Sequence, residues 1–470
     1  MSYMQRTPAS SVWIKAAALI GLFGLIVRLG FVFLYGSEQK IYDPNQDQYI
    51  YVDLAKNLVS GQGYVLSFDM FVASAYKPTA IQPPTYPLFI AVVFATFGKS
   101  LVAVRVVQAI IGALTCIAVL YIAGLGVNYS VGFVSGLVMA CYPLSVMYVR
   151  PLMTETLFAF LLALVVLMLV LIITWGSRPS LYLGLGLLIA VTFLTRPESM
   201  LYLPLAGVVL LVPLIRKQQR VVGLLTGVGL TVIAFTVTVS PWVYYNWQAQ
   251  GEAQLLPNKR WGNWESNWLR YQRENNPNWT SICPDDELKC SVPNFDQLSE
   301  LERDKYTVQL MSDFVRQHPG AALHYALTRV LMSYPVIPRE MLPPPLGYNG
   351  ERDRPTDGLD ITALDDFPFY FNPIEKGRVW YFRTLLLLSA VGLVLALKQR
   401  QWFLLLPAGM IGTNIASAFL LQGRERYRMP IDPYLIIVAV FALITLVAMF
   451  RRHQHQVHSL DMPLNSVQSE

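Results

Sequence analysis

The sequence predicts an all-α polytopic membrane protein with a small domain outside the membrane. Three observations carry that prediction. Of 470 residues, 54% are hydrophobic and only 14% charged, against about 25% charged in ordinary soluble domains. The mean hydropathy is +0.42. Apolar runs recur at close to the ~20 residues that a helix needs to cross hydrocarbon. A soluble enzyme and a disordered chain are both excluded. The net charge of +6 is no nucleic-acid signature, because Lys and Arg sit at the ends of apolar runs.

Ten spans are expected, at 12–34, 101–124, 131–149, 157–175, 181–195, 200–215, 221–243, 380–397, 402–421 and 431–450. The first is read as a retained anchor, since no small-residue cleavage site follows it. With the N-terminus in the cytoplasm, ten crossings put Arg178, Arg216, Lys217, Arg220, Lys398, Arg400, Arg451 and Arg452 on the cytoplasmic side, as the positive-inside rule requires. The apolar stretch Tyr86–Gly98 is short, and counting it as a span would invert every later cluster, so it reads as an interfacial helix. The expected organisation is an N-terminal membrane module at 1–243, an extracytoplasmic domain at 244–379, a C-terminal membrane module at 380–450 and a cytoplasmic tail at 451–470. Within the outer domain, Glu300–Ser333 has helical spacing of Leu310, Phe314, Leu323, Leu327 and Leu331.

Most span interiors lack ionisable residues, which argues against an ion-coupled transporter. The charges gather at the outer ends: Asp43, Asp47 and Asp53 after the first span, Glu155 before the fourth, Arg196 and Glu198 after the fifth, and Arg424, Glu425, Arg426 and Arg428 after the ninth. Three arginines in five residues on an outer face oppose the positive-inside bias. Snorkelling to lipid phosphates is one use for such residues. The other is binding phosphate through the guanidinium fork, with a nearby carboxylate accepting a proton from an attacking hydroxyl. Group transfer from a membrane-bound phosphate donor needs both parts.

These ends also carry motifs. Asp47, Tyr51, Leu54 and Ala55 fit D-x-x-x-Y-x-x-L-A, and residues 83–89 read P-P-x-Y-P-L-F. Residues 154–158 read T-E-x-L-F, 194–198 read L-T-R-P-E and 426–430 read R-Y-R-x-P. In this order they resemble the GT-C glycosyltransferases, and most nearly the glycosyltransferase 39-like group that includes the protein O-mannosyltransferases and the lipid A aminoarabinose transferase. The resemblance covers roughly 40–215 and 420–450; no motif covers 244–379.

The resemblance implies a GT-C fold and inverting transfer from a polyprenyl-phosphate sugar on the extracytoplasmic face of the plasma (inner) membrane. It implies Asp47 as base and Glu155 as second carboxylate. Around the donor phosphate and substrate it sets Tyr51, Lys77, Gln82, Tyr86, Arg196, Glu198, Arg424, Arg426 and Arg428. Many relatives carry Arg or Lys where this chain has Gln82, and Lys77 is near enough to take that part. The expected partners are the lipid-linked donor, a lipid, glycan or protein acceptor and the surrounding lipids, with no nucleic acid. No cofactor is read from the sequence, although a divalent ion at Asp47 and Glu155 stays open, and the His453, His455, His458 run reads as a solvated tail.

Asp53 lies six residues beyond Asp47 and should face away from it on a helix. Cys283 and Cys290, in the outer domain, are expected to form a disulfide on the oxidising side, with Cys116 and Cys141 as thiols within spans. Two rival readings stand beside the transferase: a lipid-linked sugar flippase, for which polar mid-membrane groups are not seen, and a non-catalytic assembly subunit, which would lack the rim carboxylates.

Overall fold

The computed structural model describes residues 9–35, 47–68, 74–176, 178–258, 299–334, 371–421, 423 and 425–460, with isolated positions between 268 and 298. Among the described residues the architecture is helical, and the extended structure amounts to one isolated bridge, Val65 with Pro78. The helices are α1 (Ser10–Tyr35), α2 (Asp47–Val59), α3 (Thr85–Phe97), α4 (Leu101–Gly126), α5 (Tyr129–Ala140), α6 (Pro143–Met147), α7 (Glu155–Trp175), α8 (Pro179–Phe193), α9 (Leu203–Leu210), α10 (Val212–Ile215) and α11 (Val221–Gln250). After them come α12 (Glu300–Gln317), α13 (Pro319–Ser333), α14 (Phe371–Lys398), α15 (Leu405–Leu420), α16 (Glu425–Arg428) and α17 (Asp432–Leu460). Short 3₁₀ turns, Pro197–Tyr202 and Trp402–Leu404, lead into α9 and α15.

Eight of the described helical segments are long and apolar enough to cross a membrane: Ser10–Leu34, Leu101–Gly126, Glu155–Trp175, Pro197–Ile215, Val221–Gln250, Val379–Lys398, Trp402–Leu420 and Asp432–Gln454. The runs expected at 131–149 and 181–195 are also helical but shorter, at 12 residues in α5 and 15 in α8. The first is cut by Pro143, which cannot extend α5 and instead opens α6 at its N1 position. The stretch read as one helix at Glu300–Ser333 is two. His318 leaves helical geometry (φ −129°, ψ 57°) and Pro319 starts α13, because the residue before proline is pushed out of the α region. The last helix runs on to Leu460, beyond the expected boundary at 450, so its final turns carry His453.

The main core joins α1, α4, α5, α7, α8, α9 and α17. Helix α5 lies close against α4 because position 132 has no side chain: a Cβ on Gly132 would sit 2.5 Å from the Leu120 carbonyl oxygen. Such small-residue contacts let backbones approach where lipid supplies no hydrophobic drive.

Two arginines, Arg28 and Arg105, lie within spans and hydrogen-bond to the end of α5 and to the segment after it. Arg28 donates to the carbonyl oxygens of Gly24 and Ala140 and to Ser145 Oγ at 3.1, 3.2 and 2.9 Å, bonding a carbonyl left unpaired at the end of α5. Arg105 Nε donates to the Arg150 carbonyl at 2.9 Å. Gln108 donates to the carbonyls of Val149 and Pro151, each at 3.0 Å. The turn 148–154, which delivers Glu155, is therefore held from α4.

Candidate active site

Helix ends converge at one end of the bundle. Asp47 is the first residue of α2 and Glu155 the first of α7, positions where the helix dipole favours a carboxylate. Arg196 follows α8 and precedes the 3₁₀ turn that carries Glu198. Arg426 sits on the single turn α16, where the chain passes from α15 to α17. That passage runs tight against α13: a Cβ on Gly423 would lie 2.3 Å from the Arg329 carbonyl oxygen.

The groups meet as a charge cluster. Arg426 Nη2 is 3.2 Å from Asp47 Oδ2 and donates to Tyr427 Oη at 2.7 Å. Arg196 Nη1 is 3.2 Å from Glu155 Oε1 and Nη2 is 3.7 Å from Glu198 Oε1. Arg426 Nε approaches the same Glu155 oxygen at 3.8 Å, so the two guanidiniums converge on one atom. Glu155 Oε2 is buried without a hydrogen-bond partner among the described residues. Burial works against the charge on both arginines. For Arg196 it is outweighed by Glu198 and Glu155, and for Arg426 by Tyr427, Asp47 and Glu155, so both are held above the ordinary arginine range. Both stay charged at any pH of interest.

Buried tyrosine and glutamine side chains pack behind the carboxylates. Tyr51, one turn beyond Asp47, packs edge-on against Tyr86 with ring centroids 4.9 Å apart and donates to Gln82 Oε1 at 3.4 Å. Burial and then the Asp47 charge push its phenol up, so it remains a donor. Tyr86 Oη donates to Gln108 Oε1 at 2.6 Å, and Gln48 Oε1 accepts from Leu152 N at 3.2 Å. Beside the cluster lies a small pocket lined by Phe158, Arg196, Glu198, Tyr202, Asn414, Ser417 and Tyr427.

Asp47, Glu155, Arg196, Glu198 and Arg426 are thus brought together, with Tyr51, Gln82 and Tyr86 behind them. Arg428 is not. Its Nε reaches Asp432 Oδ1 at 2.8 Å, its Nη1 donates to the Ser333 carbonyl at 2.6 Å and its guanidinium lies 3.5 Å from the Phe382 ring centroid. Lys77 is exposed beside Pro78 and makes no ion pair with the cluster among the described residues. Asp53 faces away as expected, its Oδ2 accepting from Ser67 N at 2.7 Å and Asn57 Nδ2 at 3.3 Å. Asp43, Arg424, Cys283 and Cys290 lie outside the described residues. No group of three or more metal-ligating side chains occurs among the residues described.

Sequence reasoning missed Tyr427, whose ring lies against both arginines. It also missed Arg105 and Gln108, which hold the turn before Glu155. A polar pair three residues apart at the start of an apolar run was the available signal for the latter.

The comparisons with known proteins bear on the fold and on one stretch of the chain. Residues 81–245 match the family described as dolichyl-phosphate-mannose-protein mannosyltransferase. Among solved structures the chain is similar to the archaeal oligosaccharyltransferase AglB from Archaeoglobus fulgidus, determined with an inhibitory peptide and a dolichol-phosphate. The identity is 12% and the TM-score 0.53, over 97% of this chain and 52% of that one. The apo form of the Archaeoglobus fulgidus oligosaccharyltransferase gives 11% and 0.51, over 98% and 53%. ArnT from Cupriavidus metallidurans bound to undecaprenyl phosphate gives 12% and 0.38, over 93% and 78%. No curated protein matches the sequence. The chain spans about half the length of the archaeal enzymes and shares their fold over that part.

Proposed function

We propose that the chain transfers a glycosyl group from a polyprenyl-phosphate donor to an acceptor hydroxyl or amine at the extracytoplasmic face, with inversion and with Asp47 as base. The observation that carries this reading is the pairing of Asp47 with Arg426 at 3.2 Å, in a cluster that also holds Arg196 and Glu155. The dolichol-phosphate named with the archaeal relative is a ligand of the same chemistry.

The donor phosphate lies on Arg196 and Arg426, whose forks fit two phosphate oxygens. Phosphate competes with Asp47 for Arg426 and turns that carboxylate toward the acceptor. As the acceptor oxygen or nitrogen bonds to the anomeric carbon, the glycosyl–oxygen bond breaks and its electron pair passes to the phosphate. The growing charge meets fixed guanidiniums, an arrangement that needs no reorganisation at the moment of reaction. The acceptor's proton passes to Asp47. Exposure decides between the carboxylates: the Asp47 side chain is 26% exposed and that of Glu155 1%, so only the first is open to an incoming acceptor. Glu155 then serves as the buried counter-ion on which both arginines converge.

Release of undecaprenyl phosphate from a labelled undecaprenyl-phosphate sugar by the purified chain tests the proposal. Asp47→Asn keeps shape and hydrogen bonding but accepts no proton, and should lower turnover by ~10²-fold or more while donor binding survives. Near-normal turnover in the folded variant rules out Asp47 as base.

A further inference from the structure

The Tyr427 ring lies against both guanidiniums. The Arg196 Cζ lies 4.6 Å and the Arg426 Cζ 4.8 Å from its ring centroid, both within the ~6 Å reach of a cation–π contact. Both arginines also approach a single oxygen, Glu155 Oε1. Two like charges drawn to one atom repel, and the repulsion is strong where water is excluded. An aromatic ring answers that, because its electron-rich face attracts each cation while its bulk keeps them apart.

The ring is itself anchored. The Tyr427 carbonyl accepts from Asn414 Nδ2 at 3.0 Å, and Asn414 Oδ1 accepts from Tyr334 Oη at 2.7 Å. Its hydroxyl accepts from the same Arg426 nitrogen that faces Asp47. One side chain thereby touches both arginines and bonds to one of them.

We propose that Tyr427 is a positioning residue of the donor site, an aromatic spacer that holds Arg196 and Arg426 as one anion-binding pair. The proposal rests on the donor site described above and adds what sets that site's geometry. Three consequences separate the ring's face from its hydroxyl and its bulk. Tyr427→Phe keeps the face and loses the hydroxyl. Tyr427→Trp keeps the face and enlarges it. Tyr427→Leu and Tyr427→Met fill space without a π-face.

The test is the Kd of undecaprenyl phosphate for the purified full chain in detergent, with thermal midpoints to establish folding. Phe and Trp should bind within about threefold of the wild type, and Leu and Met at least about tenfold more weakly at an unchanged midpoint. A side chain needed only for packing would give the opposite order, since Met fits the space more easily than Trp. Met carries the test if the Leu variant does not fold. Wild-type affinity in Leu and Met, or a loss in Phe equal to that in Leu, overturns the spacer. Arg196→Ala and Arg426→Ala separate the two ideas. If they weaken binding while Tyr427→Leu does not, the spacer alone fails. If they leave binding unchanged, the donor site fails, and the spacer with it.

Discussion

Arg196 and Arg426 are nearly dehydrated, and their value depends on what faces them. A buried charge stripped of its partner costs several kcal/mol, so the alanine variants combine lost function with lost stability. Lysine separates the two. An ammonium preserves the charge opposite Glu155 and Asp47 but cannot fork to two oxygens. Arg196→Lys and Arg426→Lys should therefore stay folded yet turn over about tenfold or more slowly in a donor-cleavage assay; full activity in both speaks against bidentate phosphate binding. Arg428→Lys has a different expectation. Its partners are Asp432, the Ser333 carbonyl and the Phe382 ring, so the change should lower the unfolding midpoint with little effect on the donor requirement. The motif alone put Arg426 and Arg428 in one role. Helical geometry separates them, because residues two apart point about 200° from each other. The same arithmetic, applied to Asp47 and Asp53, identified in advance which carboxylate turns away. Tyr427 was unreadable in that way: nothing in its sequence neighbourhood states that Arg196, from a distant segment, shares its ring.

At the scale of elements, the loop before α3 is held from outside the membrane module. Glu300 Oε1, at the start of α12, accepts from Ala80 N and from Asn258 Nδ2, each at 2.8 Å. Asn258 N in turn donates to the Ala80 carbonyl at 2.9 Å. Tyr64 Oη donates to the carbonyl of Gln82 at 2.9 Å, and the Gln82 side chain meets Tyr51 behind Asp47. Helix α12 thus reaches the site through one loop. Burial pushes the Glu300 carboxyl up, against the bonds from Thr79, Ala80 and Asn258. A raised acid gives stability that is fully present below the unfolded carboxyl's value near 4.3 and is lost as pH rises through the folded value. Two residues on, Glu302 is lowered by its bonds to Ser299 in the capping box. Its stability is present above the unfolded value and lost as pH falls. Glu300→Gln keeps the acceptor oxygen without the charge, so thermal midpoints between about pH 4 and 7 should fall less with rising pH than in the wild type. Glu300→Ala leaves Ala80 N and Asn258 unpaired and should cost about 1–3 kcal/mol. An equal pH slope in wild type and Glu300→Gln removes the carboxyl from the account. Little of this was legible in the sequence. The capping residues and the Pro319 break could be read locally, but Glu300 and Ala80 are joined only by tertiary structure.

At the scale of the whole molecule, hydropathy located the eight membrane-length segments among the described residues, because their apolar runs are long. Proline and short length obscured only where α5 and α8 end. Orientation is a separate matter, decided by charge at the helix ends rather than by packing. The arginines and lysines that close the spans at 178, 216–220, 398–400 and 451–452 lie at the end opposite to Asp47, Glu155 and Arg426. If the positive-inside bias governs, the site faces away from the cytoplasm and the donor's phosphate must be presented there. Two exposed positions report the two ends: Ser60, just beyond α2, and Gln218, in the turn before α11. In a background with the four native cysteines replaced, Ser60→Cys should react with an impermeant thiol reagent on intact cells. Gln218→Cys should react only after permeabilisation. The reverse pattern would set the cluster on the cytoplasmic face and require a donor displayed on the inner leaflet. Reaction of both in intact cells would make the number of crossings between residues 60 and 218 even, which requires the short helix α3 to cross, or one of the short helices α5 and α8 not to cross. Labelling therefore tests the short helices together with the side that the charge cluster faces.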